Sequence, residues 1–149
     1  METQFKLATE EDIQIVMEMM KDFNAIYQYP FDAELGSINL KKLMSNQEFG
    51  RFWIIYSGDL VAGYVALTFG FSFEYKGRDA FIDELFLKAD FRDKGIGRQT
   101  MEFLEKQAIE LGLGAIHMEV ERQNDKAIRL YTKQGYGDFD RNMLTKKFK

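Results

Sequence analysis

The sequence predicts an α/β fold, a mixed and mostly antiparallel central sheet flanked by helices, in one domain over residues 1–149. Three observations lead there. Apolar residues at helical spacing run from residue 13 to 27, and three strand-like runs then succeed one another between residues 52 and 87. Beyond residue 91, helical and extended patterns alternate around one strand–helix–strand unit. A chain of 149 residues, 46% apolar and 15% aromatic, buries one core and is short for two ordinary domains.

Each element has a local reason. "FKLAT" alternates as a short strand, and Thr9 followed by Glu10, Glu11 and Asp12 supplies an N-cap and negative charge for a helix start. Ile13, Val16, Met17, Met20, Phe23 and Tyr27 then recur at three and four, with the methionines as core filler. Around Pro30, "QYPFDAELGS" breaks this rhythm before a weaker helix near residues 38–44, a common place for a substrate lid. "FWIIY", a turn at Ser57-Gly58-Asp59 and "LVAGYVALTFGFSFEY" read as a hairpin that bends at its glycines. Lys76-Gly77-Arg78-Asp79 turns into "AFIDELFL". Residues 98–111 carry Met101, Leu104, Ala108 and Leu111 on one helical face, ended by Gly112 and Gly114. "AIHMEV" is the next strand. Asn124 caps a helix over residues 125–134 with Gly135 as its stop, and "YGDFD" and "MLTKKF" read as closing strands.

Composition removes whole classes of chemistry. Without Cys there is no disulfide framework, thiolate metal site or cysteine nucleophile, and one His builds no histidine-rich metal centre. No metal is expected. No apolar run approaches the roughly 20 residues of a membrane span, and "METQFKLATEEDIQIV" lacks a signal-peptide pattern, so a cytoplasmic protein with no membrane partner is expected. A net charge of −4 argues against a nucleic-acid partner, whose phosphates demand a concentrated basic face. Cationic small molecules suit the balance better. The oligomeric state stays open, a homodimer included.

The chemical signal lies in "FRDKGIGRQT". Glycines beside a helix N-terminus let backbone N–H groups converge on one anion, helped by the helix dipole. Gly95 and Gly97 meet that need, although a plain connecting turn could use the same residues. A P-loop is excluded by the spacing and by the missing Lys-Ser/Thr pair. A dinucleotide fold gains from Gly95-Ile96-Gly97 and from Glu119 after the next strand. It loses on Thr100 at the third glycine position, on the long stretch between Leu87 and Gly95, and on the antiparallel first half.

"ELFLKADFRDKGIGRQTMEFLEKQA" resembles the acetyl-CoA signature of the GNAT superfamily of N-acetyltransferases, whose Arg/Gln-x-x-Gly-x-Gly/Ala motif cradles the coenzyme pyrophosphate. Here the motif is Arg92-Asp93-Lys94-Gly95-Ile96-Gly97, continued by Arg98. The preceding Leu85-Phe86-Leu87 matches the stretch whose backbone pairs with the pantetheine arm. "MEVERQNDKAIRLYTKQGY" is similar to the family's second segment, which implies a capping role for Asn124 and places Tyr131 toward the thioester. The resemblance runs along essentially the whole chain and implies the acyl-CoA N-acyltransferase (GNAT) fold, acetyl-CoA as cosubstrate and a primary amine as acceptor. One departure is Asp93, where relatives often carry Gly beside the phosphates, and its carboxylate is expected to turn outward.

Acetyl transfer needs a neutral amine, a polarised thioester carbonyl and a proton for the departing thiolate. An alkyl ammonium with a pKa of about 10.4 must lose a proton to a carboxylate, directly or through water. Asp83 and Glu84 are candidates that strict strand alternation sends to opposite faces, with Asp83 on the face where relatives often carry an acid; Glu119 is the third. Tyr131 is the candidate acid, and a backbone N–H near Leu87 the candidate oxyanion donor. His117 is read as a satisfied core residue.

"FGFSFEYKGRDAFIDELFL" is similar to the diamine and thialysine acetyltransferase branch, which implies a small cationic amine near Asp83, Glu84, Glu74, Tyr75 and Phe73. Other readings are a peptide or protein N-acetyltransferase, a non-catalytic acyl-CoA sensor of the same fold, and a dinucleotide-dependent oxidoreductase.

Overall fold

Five strands and four α-helices succeed one another along the chain. The computed structural model describes all 149 residues, which form two units, residues 1–118 and residues 119–149.

In the first unit, β1 (Thr3–Leu7) leads through a 3₁₀ turn (Glu10–Asp12) into α1 (Ile13–Ile26) and α2 (Ala33–Ser45). Then come β2 (Gly50–Ser57), β3 (Leu60–Ser72), β4 (Gly77–Leu87), a 3₁₀ turn (Ala89–Phe91), α3 (Ile96–Leu111) and β5 (Ile116–His117). The sheet runs β1-β2-β3-β4-β5, antiparallel throughout except for the parallel β4–β5 pair. This is the mixed, mostly antiparallel sheet that the sequence predicts.

The start of α1 uses Thr9 and Asp12 together, the Asp12 carboxylate accepting from the Thr9 N–H at 2.8 Å. α2 begins well before residue 38 because Asp32, two residues after Pro30, caps it: Asp32 Oδ1 accepts from the Leu35 N–H at 3.1 Å. One sheet face packs Phe52, Ile54, Tyr64, Ala66 and Phe86 against Val16 and Met19 of α1 and Leu40 of α2. The opposite side meets α3, where the Phe103 ring stacks on Phe5 at 4.2 Å and meets Trp53 edge-on at 5.1 Å. Met101 and Leu104 of the predicted α3 stripe are buried; Leu111 is only half-buried.

The second unit holds one regular element, α4 (Asp125–Lys133). Asn124 caps it as expected, its side chain accepting from the Ala127 N–H at 3.1 Å, and Gly135 follows at φ 97°. Two strand expectations fail here: neither "YGDFD" nor "MLTKKF" is a strand, while "AIHMEV", begun in the first unit, is a strand only at Ile116 and His117. Alternation alone makes no strand without an edge to pair with. Within this unit there is none, and Phe139, Met143, Leu144 and Phe148 stay exposed.

Candidate active site

The site begins with a break in a ladder. Ala66 pairs with Glu84 and Leu67 with Ile82, so Asp83 is one extra residue in β4, a β-bulge. The extra residue cancels the alternation that would separate neighbouring side chains. Asp83 and Glu84 therefore line the same cavity, which corrects the expectation that alternation sends them to opposite faces.

That cavity is about 440 Å³. α1 contributes Met20 and Asn24, the connection to α2 contributes Pro30, Phe31 and Asp32, and the sheet contributes Phe52, Ala66 and Thr68 with the two β4 acids. Its lining holds three carboxylates and no Lys, Arg or His. Acidic side chains grouped in a lining with no basic residue favour a cation.

Glu84 is held from below the cavity wall. The Tyr64 hydroxyl donates to Glu84 Oε1 at 2.6 Å. Tyr64 is fully buried, its ring stacked between Phe52 at 5.1 Å and Phe86 at 5.7 Å. Burial first, then the adjacent Glu84 charge, keeps this hydroxyl far above the ordinary tyrosine range, so it remains a donor. Burial likewise raises the Glu84 carboxyl; the Tyr64 bond opposes that rise and the Asp83 charge adds to it. A carboxylate with a raised pKa is a better proton acceptor at neutral pH.

At the C-terminal end of β4 the strand opens. Pairing with β5 covers only Ala80 and Phe81, so residues 82–87, including Leu85, Phe86 and Leu87, pair with β3 alone. Arg92 folds back onto this end: its Nε donates to the Leu87 carbonyl at 2.9 Å and its guanidinium lies 5.9 Å from the Phe86 ring. The loop then enters α3 through Gly95, a left-handed N-cap at φ 82°. Gly97, one residue into the helix, has an ordinary φ, and a Cβ there would meet no protein atom within 4 Å. Neither packing nor conformation requires glycine at 97, and the open space above it would let an anion approach the helix N–H groups closely. The residues fit a coenzyme pyrophosphate. Lys94 and Arg98 are exposed beside this turn, and Ile96 anchors it in the core. Asp93 is exposed and holds φ 59°, a conformation glycine adopts freely.

Other expected residues fall elsewhere. Phe73, Glu74 and Tyr75 occupy the β3–β4 turn and line no part of the cavity. At about 3.3 Å per residue, the strand from Gly77 to Asp83 carries them some 20 Å away. Tyr75 instead packs on His117 at 4.7 Å. His117 Nε2 meets the buried Asp79 Oδ2 at 2.8 Å, so the lone histidine is satisfied as read from sequence. In the second unit, Glu119 is exposed beyond the end of β5, Asn124 caps α4, and Tyr131 is half-buried on that helix with its ring 6.1 Å from Tyr136. Tyr64, Asn24 and Asp32 escaped the sequence reading. Asp32 announced itself only as a polar residue after Pro30, and Tyr64 needed the β3–β4 register to be seen.

Comparison with known proteins bears on the family and the fold. The acetyltransferase (GNAT) family pattern matches residues 16–136. The chain is 28% identical over 81 residues to a thialysine N-epsilon-acetyltransferase of Bos taurus, covering 54% of this chain and 47% of that protein. It is 29% identical over 76 residues to the L-ornithine N5-acetyltransferase NATA1 of Arabidopsis thaliana, covering 51% and 33%. The matches thus span about half or less of these relatives' length. Among solved structures, an integron cassette protein from the mobile metagenome of Cole Harbour Salt Marsh superposes with a TM-score of 0.87 at 25% identity, over 98% of this chain and 91% of that one. A predicted acetyltransferase from Clostridium acetobutylicum, solved with acetyl-CoA, gives 0.79 at 16% identity over 97% and 96%, a likeness of fold.

Proposed function

The chain belongs to the GNAT acetyltransferase family, which uses acetyl-CoA, and on that premise we propose that residues 1–149 act as one N-acetyltransferase domain for a small cationic primary amine. The observation that carries this reading is the cavity of about 440 Å³ with three carboxylates and no basic side chain, next to the open end of β4. Relatives named for acetylating thialysine and ornithine support an acceptor of that kind.

The chemistry divides among the chain's own groups. Gly95, Gly97 and the first turn of α3 receive the coenzyme phosphates, with Arg92, Lys94 and Arg98 adding positive charge. The backbone of residues 85–87, free of β5, pairs with the pantetheine arm, and an N–H near Leu87 polarises the thioester carbonyl. Asp83 and Glu84 attract the ammonium, and a carboxylate of this pair takes its proton before the nitrogen attacks. Glu119 is the remaining candidate for that role. Tyr131, by the family resemblance, returns a proton to the departing thiolate.

Release of free CoA from acetyl-CoA, measured across polyamines, lysine analogues, aminoglycosides and N-terminal peptides with a no-acceptor control, tests the proposal. Release that depends on small diamines or basic amino acids is the expected result. Release with peptides alone would move the acceptor class, and coenzyme binding without transfer to any amine would favour a sensor.

A further inference from the structure

Resting on that reading, we propose that Tyr64 is a positioning residue for the reaction: its hydroxyl fixes Glu84 Oε1 so that Glu84, not Asp83, takes the proton from the amine. The geometry is specific to this pair. In the β3–β4 ladder Tyr64 opposes Phe86 and Ala66 opposes Glu84, which makes Tyr64 and Glu84 diagonal neighbours on one face. The bulge falls after this point, so Glu84 stays in phase with Phe86 and with the core. Asp83, the inserted residue, is exposed.

The Tyr64 ring has little freedom, being stacked on Phe52 and Phe86 with Phe23 at its edge, 6.5 Å away. A hydroxyl presented from such a seat sets one carboxylate oxygen in place and leaves Oε2 outside that bond. The ionisable groups sharing this space are Asp83 on β4, Asp32 at the start of α2 and Tyr64 itself; α1 contributes Met20 and Asn24, neither charged. Tyr64 is thus the group there that donates a bond to the ionised Glu84 and eases its charge, while burial and the Asp83 charge oppose it.

The test compares wild type with Tyr64→Phe, which keeps the ring and removes the bond. Two readouts are taken: the pH dependence of kcat with the best acceptor, and the ¹³Cδ resonance of Glu84, assigned by its disappearance in Glu84→Gln. The acidic limb of kcat and the Glu84 titration are both expected to move upward by about one pH unit, kcat recovering most of its wild-type value above the limb. A uniform fall in kcat at every pH, with the limb in place, would mean a structural role and overturn the proposal. So would a Glu84 resonance that titrates unchanged. Should Tyr64→Phe not fold, the wild-type Tyr64 ¹³Cζ resonance must follow the Glu84 titration, and independence of the two overturns the proposal. A wild-type protein that transfers acetyl to no amine removes the functional reading, and the catalytic role with it, even where the resonance shifts. An active wild type with an unmoved limb removes the Tyr64 role alone.

Discussion

The two ends of β4 each hold a carboxylate with one partner from a neighbouring strand, and they serve different purposes. At the end that pairs with β5, Asp79 is buried against His117, with the Tyr75 and Phe81 rings packed on the imidazole. At the other end Glu84 is bound by Tyr64 yet lines a cavity, beside a second acid and beyond the last β5 pair. Burial is therefore not what separates function from architecture here. Asp79 meets a group that can carry the opposite charge, and Glu84 meets a neutral donor, which under the proposed function leaves its charge to the ammonium of the acceptor.

Four substitutions break or sharpen that contrast. The largest effect belongs to the loop that leaves the open end: Gly97→Trp should lower acetyl-CoA affinity by more than about 100-fold by filling the space a phosphate needs. Calorimetric titration reads this, and the melting temperature should hold because no protein atom crowds that position.

Glu84→Gln comes next. Turnover should fall by about 10²-fold or more if Glu84 is the base. Its stability should show the opposite trend with pH. The Glu84 pKa is raised in the folded protein above its ordinary 4.5, so the stability linked to its protonated form is complete below 4.5 and is lost as pH rises through the folded value. The glutamine variant has no such loss. Urea unfolding at a series of pH values should show the variant gaining on wild type from 4.5 upward, and parallel curves would remove the inference that Glu84 is strained by burial.

At the closed end, Asp79→Ala should cost about 1–3 kcal/mol of stability by leaving His117 without its partner, with turnover retained at temperatures where the protein is folded. A selective loss of kcat in this variant would erase the distinction between the two ends. The smallest effect is expected for Asp93→Gly, which relieves the left-handed φ of 59° and should raise stability by at most about 1 kcal/mol, read by thermal unfolding.

Where the physics is local, residues in order were enough. The Gly95 turn, the Gly97 approach, the Asn124 cap and the register of α3 follow from glycine conformation, helix termini and a 3.6-residue period, all set within a few positions. These features carried the family resemblance and the proposal of a phosphate site there. Alternation misled in "YGDFD" and "MLTKKF", because a strand exists only with a partner edge. The inserted Asp83 misled in a second way. Period two assigns faces only within one unbroken ladder, and whether a residue is paired or bulged depends on a strand some 20 positions away. Thus the sequence by itself determined the element order through α4, the glycine turn into α3 and the residue types that the proposed chemistry uses. Only the tertiary structure decided that Asp83 and Glu84 share one cavity, that Asp32 joins them, and that Tyr64 holds Glu84, since each depends on register and packing between segments distant in the chain.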